Sequence, residues 1–166
     1  LQPGEVSTVV QTPYGFHIIQ FLERRPDGSI GGLIAIQVVE HFTPAYLTAF
    51  LQAAYHKMRP GAALVLETIN PSCWMAFFET YLRDPTHRQP IHAETLKYLV
   101  EASGFSQADV QFRSPVSESD HLASIPVSPP STEGPTGALV RALNDHAEKL
   151  NKRLFSFMDY VVVARR

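Results

Sequence analysis

The chain has 166 residues, 45% of them hydrophobic and 18% charged, the composition of a folded protein and not of a disordered one. Its 14 basic and 16 acidic residues give a net charge of −2, which argues against a general nucleic-acid binder. One cysteine, Cys73, excludes an intramolecular disulfide and a Cys-rich zinc site; no apolar run reaches the roughly 18 residues of a membrane helix and no signal peptide is visible, so neither a membrane nor a nucleic-acid partner is expected and the expected location is cytoplasmic.

In chain order, two β-branched stretches, residues 6–12 and 17–22, flank Thr12-Pro13-Tyr14-Gly15 and predict a β-hairpin. Pro26-Asp27-Gly28-Ser29 then leads to an apolar run over residues 33–39, which predicts a strand buried on both faces, as in a parallel sheet. Thr43-Pro44 suits a helix N-cap followed by proline. The helical spacing from Tyr46 to Met58 ends at Pro60-Gly61, and residues 62–67 predict the next strand, completing a βαβ unit. Asn70-Pro71-Ser72 opens an aromatic helix to about residue 82. A further helix fits residues 93–103 with Gly104 as its cap. Strands are expected over residues 108–113 and 158–164. Between them lie a Pro/Ser-rich loop over 114–137 and a helix over 138–154.

Three stretches in this order carry a resemblance. They are Gly32-Leu33-Ile34-Ala35-Ile36-Gln37-Val38-Val39-Glu40-His41-Phe42, then Lys57-Met58-Arg59-Pro60-Gly61-Ala62-Ala63-Leu64-Val65-Leu66-Glu67-Thr68, and then Asp84-Pro85-Thr86-His87 with His92-Ala93-Glu94-Thr95-Leu96 and Ala102-Ser103-Gly104-Phe105. The first is similar to the fourth strand of class I S-adenosylmethionine-dependent methyltransferases, with its strand-end E-H. The second resembles their L-K/R-P-G-G-x-L-V-L-E lead into the fifth strand, with Ala62 in place of the second glycine. The third is similar to the D-x-T-H, P-E-T-L and A-G-F run of methyltransferases near polysaccharide and sugar pathways. The resemblance covers residues 26–166 and implies the C-terminal half of such a domain: an α/β fold with a truncated Rossmann-like sheet, mixed, with helices on both faces. It implies S-adenosylmethionine as cofactor and a small-molecule or glycan acceptor. The chain has no G-x-G-x-G sequence, although the family's close backbone approach to its cofactor relies on glycines after the first strand. Counterparts of the first three strands are therefore missing, and weak or absent activity and cofactor binding are expected of this chain alone.

Leu1-Gln2-Pro3-Gly4-Glu5-Val6-Ser7 with Gln11-Thr12-Pro13-Tyr14-Gly15-Phe16-His17-Ile18-Ile19 is similar to the C-terminal hairpin of parvulin-type peptidyl-prolyl isomerases. His17 falls on one of that family's two core histidines. The rest of that fold has no counterpart here, which argues against isomerase activity. Two units follow, a parvulin-like hairpin over residues 1–25 and a methyltransferase-like part over 26–166. The chain reads as a chimera.

The methyltransferase resemblance places Glu40 and His41 at a strand end, where α/β sheets bind ligands, with Ile36, Gln37 and Val38 beside the cofactor. His87 is the third candidate catalytic group, since an imidazole titrates in the range that suits proton removal from a hydroxyl; a loop histidine bonded to backbone is the plainer reading. His92 shares both readings. Gln37-x-x-Glu40-His41 is similar to the E-x-x-E-H ligand set of metal-assisted methyltransferases, but Gln37 replaces a carboxylate, so no metal is expected. Trp74, Phe77, Phe78 and Tyr81 either wall an acceptor pocket or, as aromatic stripes more often do, fill core. Cys73 reads as a small buried side chain. If the first three strands are missing, strand 33–39 has an open edge. A hairpin strand over residues 17–22 is expected to cover it, or else a second copy of the chain in a homodimer. A non-catalytic structural or oligomerisation module is the alternative function.

Overall fold

A computed structural model describes residues 10–12, 15–17, 27–126 and 134–166. Strands β1 (Val10–Thr12) and β2 (Gly15–His17) pair antiparallel with Thr12 opposite Gly15, in keeping with the expected hairpin. The main sheet has four strands in the order β3-β4-β6-β5, from β3 (Ile30–Ile36), β4 (Met58–Ile69), β5 (Ser106–Pro115) and β6 (Phe157–Arg165). β3 and β4 are parallel, while β6 runs antiparallel to both β4 and β5. The sheet is therefore mixed, as expected.

Helix α1 (Pro44–Lys57) connects the parallel pair. The Thr43 hydroxyl accepts from the Tyr46 N–H at 3.3 Å and Pro44 occupies the first turn, so one orphan amide is satisfied and proline sits where no amide is needed. α1 ends at Lys57, three residues before Pro60. Pro60-Gly61 instead lies inside β4, where Gly61 has φ +78° and the β3–β4 register shifts between Ile30 and Gly32. Helix α2 (Ala93–Ala102) is followed by Gly104 at φ +105°. A Cβ there would lie 2.9 Å from the Tyr55 ring, so both conformation and space require glycine.

Leu47 and Leu51 of α1 and Leu96 and Val100 of α2 pack on Leu64 and Leu66 of β4 and Tyr160 and Val162 of β6. Strand alternation puts Leu33 and Ala35 on this core face and turns Ile34 and Ile36 to the other, where they are 47% and 55% exposed. The expected burial of this strand on both faces is thus corrected: the core covers one face only. Its end is corrected too, because Gln37 takes φ +52° and Val39–His41 form a 3-10 turn. The pairing expected between residues 17–22 and this strand is not found among the described residues. His17 pairs with Val10 inside the hairpin, and β3 has β4 as its strand neighbour; residues 18–22 lie outside those described. Helix α3 (Gly134–Leu154) precedes β6. Among the described residues no helix is long and apolar enough to cross a membrane.

Candidate functional site

The site forms where the chain leaves the C-terminal ends of β3 and β4. The left-handed Gln37 redirects the backbone after β3, and its amide still donates to the Glu67 carbonyl of β4 at 2.9 Å. The following 3-10 turn packs Glu40 and His41 inward, 1% and 5% exposed. The backbone carbonyl of Glu40 accepts from the Arg88 amide at 2.8 Å, which brings the loop carrying residues 84–89 against the turn. That loop is fixed farther along by Tyr160, whose buried hydroxyl donates to the Ile91 carbonyl at 2.8 Å.

These contacts enclose a cleft of about 450 Å³ whose lining includes Gln37, Glu40, His41, Asp84, His87 and Asp159. Glu40 is held through one oxygen: the Thr68 hydroxyl donates to Oε2 at 2.7 Å, while Oε1 is buried with no hydrogen-bond partner. Burial pushes the Glu40 carboxyl above the ordinary range, opposed by its backbone hydrogen bond and by Thr68. Glu67 is pushed up by burial and then by the charge of Asp159.

Both imidazoles are oriented through Nδ1. His87 Nδ1 lies 2.7 Å from the Tyr81 carbonyl, which can only accept, so this nitrogen carries the proton. The Tyr81 ring stacks on the His87 ring at 4.6 Å. His41 Nδ1 lies 2.9 Å from the Thr86 hydroxyl, which donates its own proton to Asp84 Oδ1 at 2.6 Å; His41 Nδ1 is therefore the donor. In the neutral state each ring then holds its lone pair on Nε2. The hydrogen bonds from Thr86, side chain first and then amide, hold Asp84 below the usual carboxylate range. Glu40, His41 and His87 offer ligand atoms within 4.8 Å of one another.

A SAM-dependent methyltransferase from Archaeoglobus fulgidus matches this structure with a TM-score of 0.71 and 33% identity, over 83% of this chain and 60% of that one. The chain has a Rossmann-like methyltransferase fold. Phosphoethanolamine N-methyltransferase 2 of Haemonchus contortus, solved with S-adenosyl-L-methionine, matches at a TM-score of 0.50 and 10% identity, over 87% of this chain and 35% of that one, a likeness of fold alone. The chain thus spans about 60% of the length of the archaeal methyltransferase. A stretch of 25 residues, 15% of the chain, is 72% identical to the chaperone SurA of Thiobacillus denitrificans and covers 6% of that protein. No family model matches the sequence.

Within the methyltransferase fold, the three residues singled out as catalytic candidates meet at one cleft. Those singled out for the cofactor do not share a surface: Gln37 lines the cleft, Ile36 faces outward from β3, and Val38 packs against the core. His92 stands apart as the N-cap of α2, its side chain accepting from the Glu94 amide. The aromatic stripe divides. Trp74 and Phe78 are about half exposed and in mutual contact, whereas Phe77 and Tyr81 belong to a second apolar cluster with Ile69 and Cys73. Cys73 is buried and its thiol points to the Leu154 carbonyl, in keeping with a packing role. Thr68 and Asp159, which fix Glu40 and Gln37, carry no signal in the sequence. Asp84 and Thr86 were visible as part of the D-P-T-H stretch.

Proposed function

We propose that this chain carries the acceptor side of an S-adenosylmethionine-dependent methyltransferase site and takes a hydroxyl-bearing small molecule or glycan. The observation that carries the reading is the cleft beyond the parallel strands β3 and β4, where α/β sheets bind their ligands and where Glu40, His41 and His87 converge. The 33% identity to the archaeal methyltransferase supports it. The described residues do not make a glycine cradle for the cofactor. The chain has no G-x-G-x-G sequence, and in the turn after β3 the left-handed position is filled by Gln37, whose side chain is bonded to Asp159 at 3.1 Å. In methyltransferases of this fold the glycines that allow close backbone approach to the cofactor follow the first strand, for which the resemblance finds no counterpart in this chain. What the chain itself offers is an acceptor pocket and two imidazoles whose Nε2 lone pairs can accept a hydroxyl proton. Calorimetric titration of sugar and small-molecule hydroxyl acceptors into the chain tests the reading: Glu40→Ala, His41→Ala and His87→Ala are each expected to weaken acceptor binding by about tenfold or more, and unchanged binding in all three, or no binding to the parent, rejects the site.

A structural or oligomerisation role is the second reading. It is favoured by the one-sided pairing of β3 among the described residues and by the half-exposed Ile34 and Ile36, since an apolar edge is a template for pairing with another chain. Light scattering distinguishes the two: a stable dimer, lost in Ile34→Lys, supports this role, and a monomer rejects it.

A further inference from the structure

We propose that Glu40, His41 and His87 bind a divalent first-row transition-metal ion, of which Zn²⁺ is the representative probe. The site stands on the donor geometry alone, and with metal bound the two imidazoles act as ligands through Nε2 and no longer as proton acceptors. Two imidazole nitrogens and one carboxylate oxygen suit zinc and its neighbours better than magnesium or calcium, which favour all-oxygen shells.

Three observations converge. The ligand atoms of these residues already lie within 4.8 Å of one another. Bonds of about 2.0–2.2 Å bring such atoms to roughly 3–3.5 Å apart, so binding draws the turn at 39–41 and the loop at 84–87 together. Second, Oε1 of Glu40 is an orphan. Its residue is 1% exposed, its other oxygen is taken by Thr68, and Oε1 has no hydrogen-bond partner. A buried acceptor left unpaired costs on the order of 1–3 kcal/mol or more, and a cation beside it removes that penalty. Third, each ligand is oriented by a group behind it. Thr86 and Asp84 hold Nδ1 of His41, the Tyr81 carbonyl holds Nδ1 of His87, and Thr68 holds Oε2 of Glu40. That is how outer partners set the tautomer and aim of metal-binding histidines and carboxylates. The ligands also line an open cleft, which leaves coordination positions for water or an acceptor oxygen.

The set is not the one that the sequence spacing names. Gln37 is turned to Asp159, and the third ligand comes instead from the loop after β4, 46 residues beyond His41. Sequence alone set metal binding aside because of Gln37; His87 supplies what Gln37 does not.

Titration of Co²⁺ and Zn²⁺ into the full chain stripped of metal tests the proposal. Visible absorption of bound Co²⁺ reads imidazole coordination, and calorimetry reads stoichiometry. One ion per chain is expected, with Glu40→Gln and His87→Ala each weakening affinity by about tenfold or more and His56→Ala and His92→Ala leaving it unchanged. Circular dichroism checks the fold of each variant; where Glu40→Gln does not fold, His87→Ala decides, and His87→Gln, which keeps a donor for the Tyr81 carbonyl, replaces it if the alanine variant does not fold. Binding that persists at full strength in His87→Ala, which marks an adventitious ion on other histidines, overturns the proposal. So does the absence of binding at about 1 mM metal.

Discussion

The Thr68 hydroxyl donates a 2.7 Å hydrogen bond to Glu40 Oε2 across 28 residues of sequence, and both residues are 1% exposed. This bond ties the end of β4 to the turn that leaves β3 and makes a carboxyl part of the protein interior. The backbone hydrogen bond and the Thr68 hydroxyl offset this burial only in part, so the Glu40 carboxyl titrates above its ordinary range, with burial as the leading cause.

A pH dependence follows. Because its folded value is raised, Glu40 contributes stability that is present in full below its unfolded value, near pH 4, and is lost as pH rises through the folded value. Glu40→Gln keeps an acceptor for Thr68 and removes the charge. In metal-free buffer it is expected to melt above the parent at about pH 8, with the difference closing toward about pH 4. A parent chain that melts higher at pH 8 contradicts this assignment.

Tyr160 gives a second prediction. Its hydroxyl, on β6, donates to the Ile91 carbonyl just before α2 and anchors the far end of the loop that carries Asp84 and His87. Tyr160→Phe preserves the ring and leaves that buried carbonyl unpaired, which costs about 1–3 kcal/mol. Urea unfolding followed by fluorescence is expected to show the midpoint falling with the slope unchanged. An unchanged midpoint shows that the anchor adds nothing to stability.

Much of the fold was legible in the residues, because local chemistry and tertiary packing agree there. Thr43-Pro44 starts α1, Gly104 closes α2 against Tyr55, and the apolar stretches of β4 and β6 lie together in the sheet. The strand over 33–39 misled because Val38 and Val39 are apolar for another reason. They pack against the core from a turn, after Gln37 has taken a left-handed conformation that is uncommon for a side-chain-bearing residue. Pro60-Gly61 misled in the same way, since a strand irregularity uses the residues that also end helices. In the site, Glu40, His41 and His87 stood out as chemistry-bearing groups near recognisable motifs. Their meeting depends on long-range contacts, such as Arg88 to Glu40 and Tyr160 to Ile91, which no local spacing encodes. Of the strand expected to pair with β3, His17 instead pairs with Val10 in the hairpin, and residues 18–22 lie outside those described.

The central claim is that this chain holds the acceptor side of a methyltransferase site without the glycines that cradle the cofactor. Calorimetric titration of S-adenosylmethionine into the chain measures that directly. With no G-x-G-x-G sequence in the chain, the dissociation constant is expected to be weaker than about 100 µM. A low-micromolar constant would contradict the claim, because it would require a complete cofactor site within these 166 residues.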